Sequence, residues 1–298
     1  MVRFIGITVV RNKPAAGEAA RDLIDWLRSR EIVPLYLTDL EEQYGIGGGV
    51  PERVIVEKAD LVVVLGGDGS FLAAARMMMQ RPTPIIGVNF GSLGFLTEIA
   101  FEELYEVMER ALADELHVRE RHMLDAIYDP PGDRRGPGPW AAEESLQPVL
   151  FSVLNEVVIT KMDEGRVIDL MITVDGLPMT SVRGDGMIVS TPTGSTAYSL
   201  SAGGPIVFPD LEATILTPIC PHSLTFRPVV VPADKEIRIE LVSPEREVIV
   251  SADGVRIGRL QYGGVLRIRQ SEVRVRKVIS PQRDFFSILR DKLHWGED

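Results

Sequence analysis

A glycine-rich turn with a carboxylate at its centre is the feature of this chain that most clearly suggests chemistry: Gly66, Gly67, Asp68, Gly69 and Ser70. The mostly apolar run 59–65 before it predicts a buried parallel strand, and residues 71–80 after it favour a helix. At the end of such a strand, glycines let backbone N–H groups approach a phosphate, and the helix N-terminus adds positive potential. Asp68 would repel that phosphate unless a metal ion intervenes or the carboxylate acts as a base on a hydroxyl. The turn therefore indicates phosphoryl transfer; the plainer alternative is that Asp68 only caps the helix.

A second group of polar residues lies between positions 183 and 205. Arg183 and Asp185 alternate with Gly184 and Gly186, and a short apolar strand follows. Residues 191–205 then hold six Ser/Thr hydroxyls, one tyrosine and three glycines, a composition rich in donors and acceptors for sugar hydroxyls and amides. A polar loop with helix caps would have the same composition. Asp185, a second carboxylate between glycines, favours the ligand site.

Two shorter segments are also candidates for ligand contacts. Asn155 and Glu156 interrupt an apolar strand. An amide and a carboxylate at adjacent positions there do not contribute to the packing of a hydrophobic core. They are either ligand contacts or an exposed edge position. The segment 89–96 follows another predicted strand, at 84–88, and is therefore expected at the same sheet edge as the turn 66–70. Phe95 in this segment either lies against a ring of a ligand or belongs to the core.

The elements that must position these residues change character along the chain. Residues 1–100 alternate strands, at 3–10, 33–37, 61–65 and 84–88, with helices such as 15–31. This alternation predicts a Rossmann-like α/β domain with a parallel sheet. After about residue 115, many short strands separated by turn residues predict an all-β, sandwich-like domain. Residues 284–293 favour a final helix. The segment 129–148, with five prolines and three glycines, is predicted to be a long surface excursion.

Composition narrows the possible partners. The chain has 298 residues and a net charge of −11, with no dense run of Lys and Arg, so nucleic acid is not an expected partner. No apolar run approaches the roughly 20 residues needed to span a bilayer, so no membrane partner is expected. The single cysteine, Cys220, excludes an intrachain disulfide. With no signal-peptide pattern at the N-terminus, a cytoplasmic location is expected.

Taken together, the motifs resemble those of the NAD kinases over roughly residues 1–290. They are Gly-Gly-Asp-Gly-Ser at 66–70, Gly-x-Leu-Gly-Phe-Leu at 91–96, Asn-Glu at 155–156, Gly-Asp-Gly at 184–186, Thr-Pro-Thr-Gly-Ser-Thr-Ala-Tyr at 191–198, Pro-His-Ser-Leu-Thr-Phe-Arg-Pro at 221–228 and Ser-Ala-Asp-Gly at 251–254. Lipid kinases and phosphofructokinases share the first motif, whereas the motif at 191–198 is far more specific. Val255 follows the last motif where a polar residue is frequent in the family.

The resemblance implies an activity and a division of labour. A phosphoryl group would pass from ATP, or from polyphosphate in some members, to the 2′-hydroxyl of the adenosine ribose of NAD, giving NADP. Mg²⁺ or another divalent cation would be required, with metal ligands that the sequence does not identify. The implied domains are a phosphate-binding α/β domain at 1–100 plus 280–298, which includes a returning C-terminal helix, and a β-rich NAD-binding domain at 101–279. A homodimer or homotetramer is expected.

The resemblance also implies a role for individual residues, carried over by motif position. Asp68 would be the catalytic carboxylate. The remaining positions would bind phosphate or dinucleotide: Gly67, Gly69 and Ser70 in the turn; Asn155 and Glu156 at the adenine and ribose; Asp185, Thr196, Ala197, Tyr198 and Ser201 along the pocket, with Phe95 at its flank; and Arg183 near the new 2′-phosphate.

Two other functions stay open at the level of sequence. One is a kinase of the same superfamily that acts on a lipid or a sugar, although the motif at 191–198 would then have no purpose. The other is a non-catalytic NADP sensor, although a sensor of an anionic ligand gains nothing from Asp68.

Overall fold

The computed structural model describes residues 2–91, 93–129, 149–162, 166–244 and 247–296. The chain forms two compact units, Met1–Arg121 with Val273–Asp298, and His122–Glu272. The unit boundaries fall inside two long strands, Val118–Asp129 and Val265–Val278. No helix in the described ranges is both long enough and apolar enough to cross a membrane.

The first unit begins with alternating strands and helices. In chain order these are β1 (Phe4–Val9), α1 (Pro14–Arg28), β2 (Val33–Tyr36), α2 (Asp39–Tyr44), α3 (Glu52–Lys58), β3 (Leu61–Leu65), α4 (Asp68–Met77), β4 (Ile85–Asn89), β5 (Ile99–Ala100) and α5 (Leu104–Leu112), with a 3-10 turn at Phe101–Glu103.

The second part of the chain is dominated by strands. They are β6 (Val118–Asp129), β7 (Val149–Val153), β8 (Glu156–Lys161), β9 (Ile168–Val174), β10 (Leu177–Gly184), β11 (Gly186–Ser190), β12 (Ala213–Ile219), β13 (Val229–Pro232), β14 (Ile237–Leu241), β15 (Glu247–Ala252), β16 (Val255–Gln261) and β17 (Val265–Val278). A 3-10 turn at Thr193–Thr196 and α6 (Tyr198–Ser201) follow β11, and α7 (Phe285–Leu293) ends the chain.

A parallel sheet in the order β2-β1-β3-β4 forms the centre of the first unit. All five residues of β3 are buried, as expected for a parallel strand covered on both faces. Helix α1 starts at Pro14, whose fixed φ suits a first helical position, and packs its Ala and Leu face against the sheet. The chain passes from β2 over β1 to β3, so β1 and β3 are neighbours in the sheet. The connection after β1 leads to β2 on one side, and the connection after β3 leads to β4 on the other, so the two loops diverge.

Two antiparallel sheets form the second unit. One has the order β13-β12-β11-β8-β15-β16, and the other contains β10, β9, β14 and β17. Their inward-facing side chains share one hydrophobic cluster, which includes Val157, Val189, Ile239 and Leu266. Strand β6 pairs with β7 in an antiparallel ladder and also pairs with β17. The predicted α/β domain and the β-sandwich are therefore both confirmed.

The predicted returning helix is also confirmed, since α7 belongs to the first unit. It begins after Asp284, whose carboxylate accepts hydrogen bonds from the N–H groups of Phe286 and Ser287. The ring of Phe285 packs against that of Phe95, with 6.2 Å between centroids.

Some elements differ from the expectation. Helices α2 and α3 and strands β10, β12 and β16 were not predicted. All residues of β12 are buried, but Pro218 and two threonines interrupt the apolar run that would have indicated a strand. Helix α5 lies in the first unit because its buried residues join that unit's core. The domain boundaries at 100/101 and 279/280 stay a prediction. The excursion predicted at 129–148 lies outside the described residues from position 130 onward.

Candidate active site

The carboxylate of Asp68 holds the loop that follows β4. Its Oδ1 accepts hydrogen bonds from the N–H of Leu96 at 3.1 Å, the N–H of Thr97 at 3.0 Å and the Thr97 hydroxyl at 2.9 Å. Its Oδ2 accepts one bond, from the N–H of Phe95 at 3.0 Å. A side chain at Gly94 would collide with Oδ1, so glycine is required there. The carboxylate is thereby fixed in one orientation before any ligand arrives.

These contacts rule out the plainer interpretation of Asp68. It is the first residue of α4, and the cap position, Gly67, has no side-chain hydrogen bond to the helix. An ionised carboxylate has about four acceptor positions shared by two oxygens. Oδ1 already has three donors, so Oδ2 is the atom with capacity left for a hydroxyl proton or a cation.

The neighbouring glycines leave open space. A Cβ atom on Gly67 or Gly69 would meet no atom within 4 Å, so neither glycine is required by the packing of the described residues. Gly67 also has an ordinary extended backbone, with φ −98°. What these two positions provide is room beside the N-terminus of α4, a ten-residue helix whose first N–H groups are suited to an anion.

A buried ion pair lies on the other side of the same loop. Nζ of Lys277 lies 2.6 Å from Oε2 of Glu98, and the two residues are 3% and 6% exposed. Lys277 also donates to the carbonyl of Phe95 at 3.0 Å, and Glu98 accepts the N–H of Ser280 at 2.6 Å. Burial lowers the pKa of Lys277, and the Glu98 carboxylate opposes this shift. The sequence patterns did not single out Lys277 or Glu98. A lysine within the alternating apolar and polar residues of β17 was nevertheless an indication of a special position.

The second unit uses a carboxylate in the same way. Asp253, in the turn between β15 and β16, accepts hydrogen bonds from the N–H groups of Leu154, Asn155 and Glu156 at 2.8–3.2 Å. Asp253 and Gly254 both have positive φ, as a two-residue hairpin turn requires. The last motif, 251–254, thus fixes the Asn-Glu pair. The sequence signal was the Asp-Gly dipeptide itself.

Asn155 and Glu156 do not occupy an edge. Asn155 lies in the bend between β7 and β8, and Glu156 begins β8, which pairs with β11 on one side and β15 on the other. The interpretation of an exposed edge position is therefore wrong. Adjacent side chains of a regular strand point to opposite faces of the sheet. Because Asn155 lies in a bend, its side chain and that of Glu156 need not do so.

Glu156 is a buried carboxyl group with an unusual proton affinity. Desolvation, with a smaller contribution from the Asp253 charge, raises its pKa to about 8, although the backbone N–H of Tyr198 opposes the shift. Its Oε2 is buried and has no hydrogen-bond partner among the described residues. A buried acceptor without a partner is costly, and a catalytic role or a bound ion or water is among the explanations for such an atom.

The hydroxyls of segment 191–205 fall into two sets. Thr191, Ser195 and Ser199 are fully buried and hold the local fold; for example, Thr191 Oγ1 donates to the carbonyl of Leu154 at 2.6 Å. The residues singled out from the sequence are at or near the surface, where a ligand could reach them: Thr196, Ala197, Tyr198 and Ser201. The polar composition therefore reflects both an internal scaffold and an accessible surface.

Arg183, near the end of β10, and Asp185, between β10 and β11, have different partners. The carboxylate of Asp185 lies 2.6 Å from Nζ of Lys161, whereas Nε of Arg183 lies 4.0 Å from Asp169. Arg183 is largely exposed, with a side chain 66% accessible, so its charge is available to a ligand at little desolvation cost. No group of three or more His, Cys, Asp or Glu side chains within the described ranges is arranged to hold a metal ion.

The raised pKa of Glu156 predicts a pH dependence of stability. Between pH 4.5 and about 8, the folded protein keeps this proton and the unfolded chain does not, so unfolding releases a proton. The free energy of unfolding should therefore fall as pH rises through this window, by at most about 1.4 kcal/mol per pH unit from this group. Urea unfolding from pH 5 to 8 measures it. Glu156→Gln, which has no proton to lose, should lack this part of the slope; identical slopes for parent and variant would contradict the assignment.

Comparison with known proteins places these motifs in one family. Family models described as the ATP-NAD kinase N-terminal and C-terminal domains match residues 49–116 and 154–280. The NAD kinase of Geobacter metallireducens is 43% identical over 298 residues, covering 99% of this chain and all of the relative. That of Solibacter usitatus is 40% identical, covering 100% of this chain and 99% of the relative.

Solved structures show the same fold. Yeast NADH kinase complexed with NADH superposes with a TM-score of 0.89 at 27% identity, covering 100% of this chain and 89% of the other. An NAD kinase from Archaeoglobus fulgidus in complex with ATP gives a TM-score of 0.70 at 25% identity, covering 97% and 99% of the two chains. With full-length relatives at 40–43% identity and family models matched in both units, this chain belongs to the NAD kinases, a family of phosphotransferases.

Proposed function

We propose that this NAD kinase transfers the terminal phosphoryl group of ATP, bound with a divalent cation such as Mg²⁺, to the 2′-hydroxyl of the adenosine ribose of NAD. The observation that carries the proposal is the hydrogen-bonding state of Asp68: its carboxylate is immobilised, yet Oδ2 keeps acceptor capacity. A ribose hydroxyl is a poor nucleophile at neutral pH, and a positioned carboxylate can accept its proton as it attacks.

The step balances as a simple displacement. The 2′-oxygen forms a bond to the γ-phosphorus, the bond from that phosphorus to the bridging oxygen breaks, and ADP leaves with the electron pair. The hydroxyl proton passes to Oδ2 of Asp68 and then to solvent. Alignment and charge neutralisation supply most of the remaining acceleration. The open turn at Gly67 and Gly69, with Ser70 in the first turn of α4, would cradle the transferred phosphate.

The second unit would supply the grip on NAD. Asn155 and Glu156 are held by Asp253 in a fixed bend, and Glu156 has an unpartnered oxygen that a ribose hydroxyl would satisfy. Tyr198, which is 44% exposed, would pack on a ring of the ligand, with Thr196, Ala197 and Ser201 beside it. Arg183 would neutralise the new 2′-phosphate. Phe95 in the first unit would flank the ligand. We further propose a cytoplasmic homodimer or homotetramer.

No metal cage is built from the described side chains, so a divalent cation would enter as part of the donor. It would supply positive charge that offsets the negative charge on the donor phosphates, which opposes attack. Asp68 is the described carboxylate best placed beside the turn to contact such a cation through Oδ2.

A direct assay tests the proposed function. Purified protein is incubated with NAD, Mg²⁺ and ATP, with polyphosphate in a parallel reaction, and NADP is measured with an NADP-specific dehydrogenase. NADP formation that requires the divalent cation is the expected result. If the protein binds NAD or NADP but forms no NADP with either donor, the enzyme assignment fails for this chain and a sensor replaces it.

The dinucleotide contacts make a separate prediction. Asp185→Asn and Tyr198→Ala should each raise the KM for NAD, with a smaller effect on the KM for ATP, because both side chains are assigned to the NAD pocket. Lys161→Met is the matched control for Asp185, since it breaks the same 2.6 Å ion pair and leaves the carboxylate in place. Steady-state kinetics with each substrate varied measure the effect. An increase confined to the KM for ATP would place these residues elsewhere.

A further inference from the structure

The backbone around Glu156 is fixed from two sides. Asp253 accepts three successive backbone N–H groups, the last of which is that of Glu156 itself. On the other side, the N–H of Thr191 donates to the carbonyl of Asn155 at 2.9 Å. A Cβ atom on Gly194 would overlap that carbonyl, so the 3-10 turn after β11 packs directly on the bend. Glu156 therefore cannot gain a new partner through a local backbone shift without breaking these contacts.

The side chain of Glu156 lies on the face of its sheet that α6 covers. In β8, Val157 belongs to the core between the two sheets, whereas Val158 belongs to a cluster on the opposite face. Ala202, which directly follows α6, packs against that second cluster. Because alternate residues of a strand share a face, Glu156 points to the side of α6, as its contact with the N–H of Tyr198 also requires. The residues proposed to bind NAD lie on this side.

The groups around Glu156 oppose an ionised carboxylate. Glu156 is 6% exposed, and α6 offers it a single backbone N–H, that of Tyr198. The turn between β15 and β16 adds a like charge, Asp253, and β11 places the uncharged Ser190 opposite Glu156 in the ladder. The groups that shift its pKa include no cation of the described residues. Burial and a second carboxylate both favour the neutral form, so Glu156 carries a proton at neutral pH.

The proton of Glu156 has one suitable position. Oε2 is buried and has no hydrogen-bond partner among the described residues. The N–H of Tyr198 therefore goes to the other oxygen, Oε1, which acts as an acceptor. With Oε1 accepting, the proton resides on Oε2 and makes this atom a donor. A buried O–H without an acceptor costs free energy until an acceptor arrives.

We propose that Glu156 binds NAD as a neutral carboxylic acid, with its Oε2–H donating a hydrogen bond to an acceptor of the dinucleotide, a ribose oxygen or a ring nitrogen. The inference rests on the proposed function, since it places NAD on the side of α6. A carboxylate at this position would instead accept hydrogen bonds and repel the phosphates of the dinucleotide. The neutral acid adds no negative charge beside a ligand that gains a further phosphate in the reaction.

The affinity for NAD should then depend on pH in one direction. The acid form is complete well below its pKa of about 8 and is lost as pH rises through this value. The Kd for NAD should therefore be constant near pH 6 and should rise by up to about tenfold per pH unit above pH 8. Binding should also take up a proton from solvent onto Oε2, with almost none at pH 6 and close to one per site at pH 9. Binding by a carboxylate would reverse both signs.

Calorimetry without a phosphoryl donor measures affinity and proton uptake, since the chemical step cannot occur. NAD is titrated into the protein at each pH in two buffers of different ionisation enthalpy, and a melting temperature at each pH verifies folding. Glu156→Ala removes the donor and should weaken binding at pH 7 by up to about tenfold. Glu156→Gln keeps an acceptor for Tyr198 and a donor at the position of Oε2. It should bind more tightly than Glu156→Ala and should show neither the pH slope nor the proton uptake. Glu240→Gln, the same change at an exposed position of β14, is the control and should keep both.

The possible results separate this inference from the proposed function. An affinity that increases as pH rises through 8, with release of protons, would show that Glu156 binds as a carboxylate. A pH slope that persists in Glu156→Gln would assign the proton to another group and would also overturn the proposal. If the parent forms NADP but its NAD affinity has no slope that depends on Glu156, the neutral acid is wrong and the function stands. If NAD binds with the expected proton uptake but NADP never forms, the function fails and the neutral acid stands.

Discussion

Asp68→Asn is expected to reduce kcat for NAD phosphorylation by roughly 10²- to 10⁴-fold, the usual cost of losing a positioned general base. The amide cannot accept a proton at the position of Oδ2. The expected signature is a loss in kcat with little change in the KM for NAD, because the proposed NAD contacts lie mainly in the second unit. Steady-state kinetics and NAD calorimetry on the same preparation measure both. A variant that phosphorylates NAD at close to the parent rate would show that Asp68 has no catalytic role.

The structure also changes the expected stability of this variant. From the sequence, asparagine is nearly isosteric and the melting temperature should stay near that of the parent. However, both carboxylate oxygens of Asp68 accept backbone N–H groups. In the variant, the NH₂ group of asparagine would have to take the place of one of these acceptor oxygens. The resulting unsatisfied donors should cost about 1–3 kcal/mol of unfolding free energy. Activity must therefore be measured well below the melting temperature of the variant.

Asp253→Asn is the matched control. Asp253 also accepts three consecutive backbone N–H groups, so the same substitution should cost a similar amount of stability. Its carboxylate orients Asn155 and Glu156 and is not proposed to accept the proton. The expected kinetic effect is a raised KM for NAD with a much smaller loss in kcat. Equal losses of kcat in the two variants would mean that the Asp68 effect is structural.

Lys277→Met is expected to destabilise the protein more than either Asp68→Asn or Asp253→Asn. It leaves the Glu98 carboxylate buried without its counter-charge and removes the donor to the Phe95 carbonyl. Breaking a buried ion pair from one side typically costs about 3–5 kcal/mol. Because Phe95 also donates its N–H to Asp68, the orientation of the Asp68 carboxylate should loosen and, if this carboxylate is the proposed base, kcat should fall as well. Urea unfolding and steady-state kinetics measure the two effects.

Two comparisons isolate the buried charge. Adding Glu98→Gln to Lys277→Met should recover part of the lost stability, since a neutral amide needs no counter-charge. Arg110→Met breaks the exposed pair with Glu106, whose side chains are 38% and 51% accessible, and should cost no more than about 1 kcal/mol. If Lys277→Met is no more destabilising than Arg110→Met, the ion pair does not support the loop.

Particular residues show what the sequence could and could not predict. The turn at Asp68 was predictable because a buried apolar run, glycines and a helix-forming segment follow one another directly. The partners of Asp68 were not, since three of the four donors are backbone N–H groups 27–29 residues away, which carry no side-chain signature. The pairing of Glu156 with the Tyr198 backbone depends on the register of β8 and β11, which only the folded sheet defines. Strand β12 was missed because burial overrode the weak strand propensity of its proline.

Both candidate ligand loops are tied down by an aspartate that gathers three successive backbone N–H groups. The conformational entropy of these segments is therefore lost when the chain folds, rather than when a nucleotide arrives. Ordering a loop on binding would weaken affinity by an amount that grows with each residue fixed. For the proposed ligand contacts of this chain, that penalty belongs to folding stability. Substitutions of Asp68 or Asp253 are therefore expected to lower thermal stability and nucleotide affinity together.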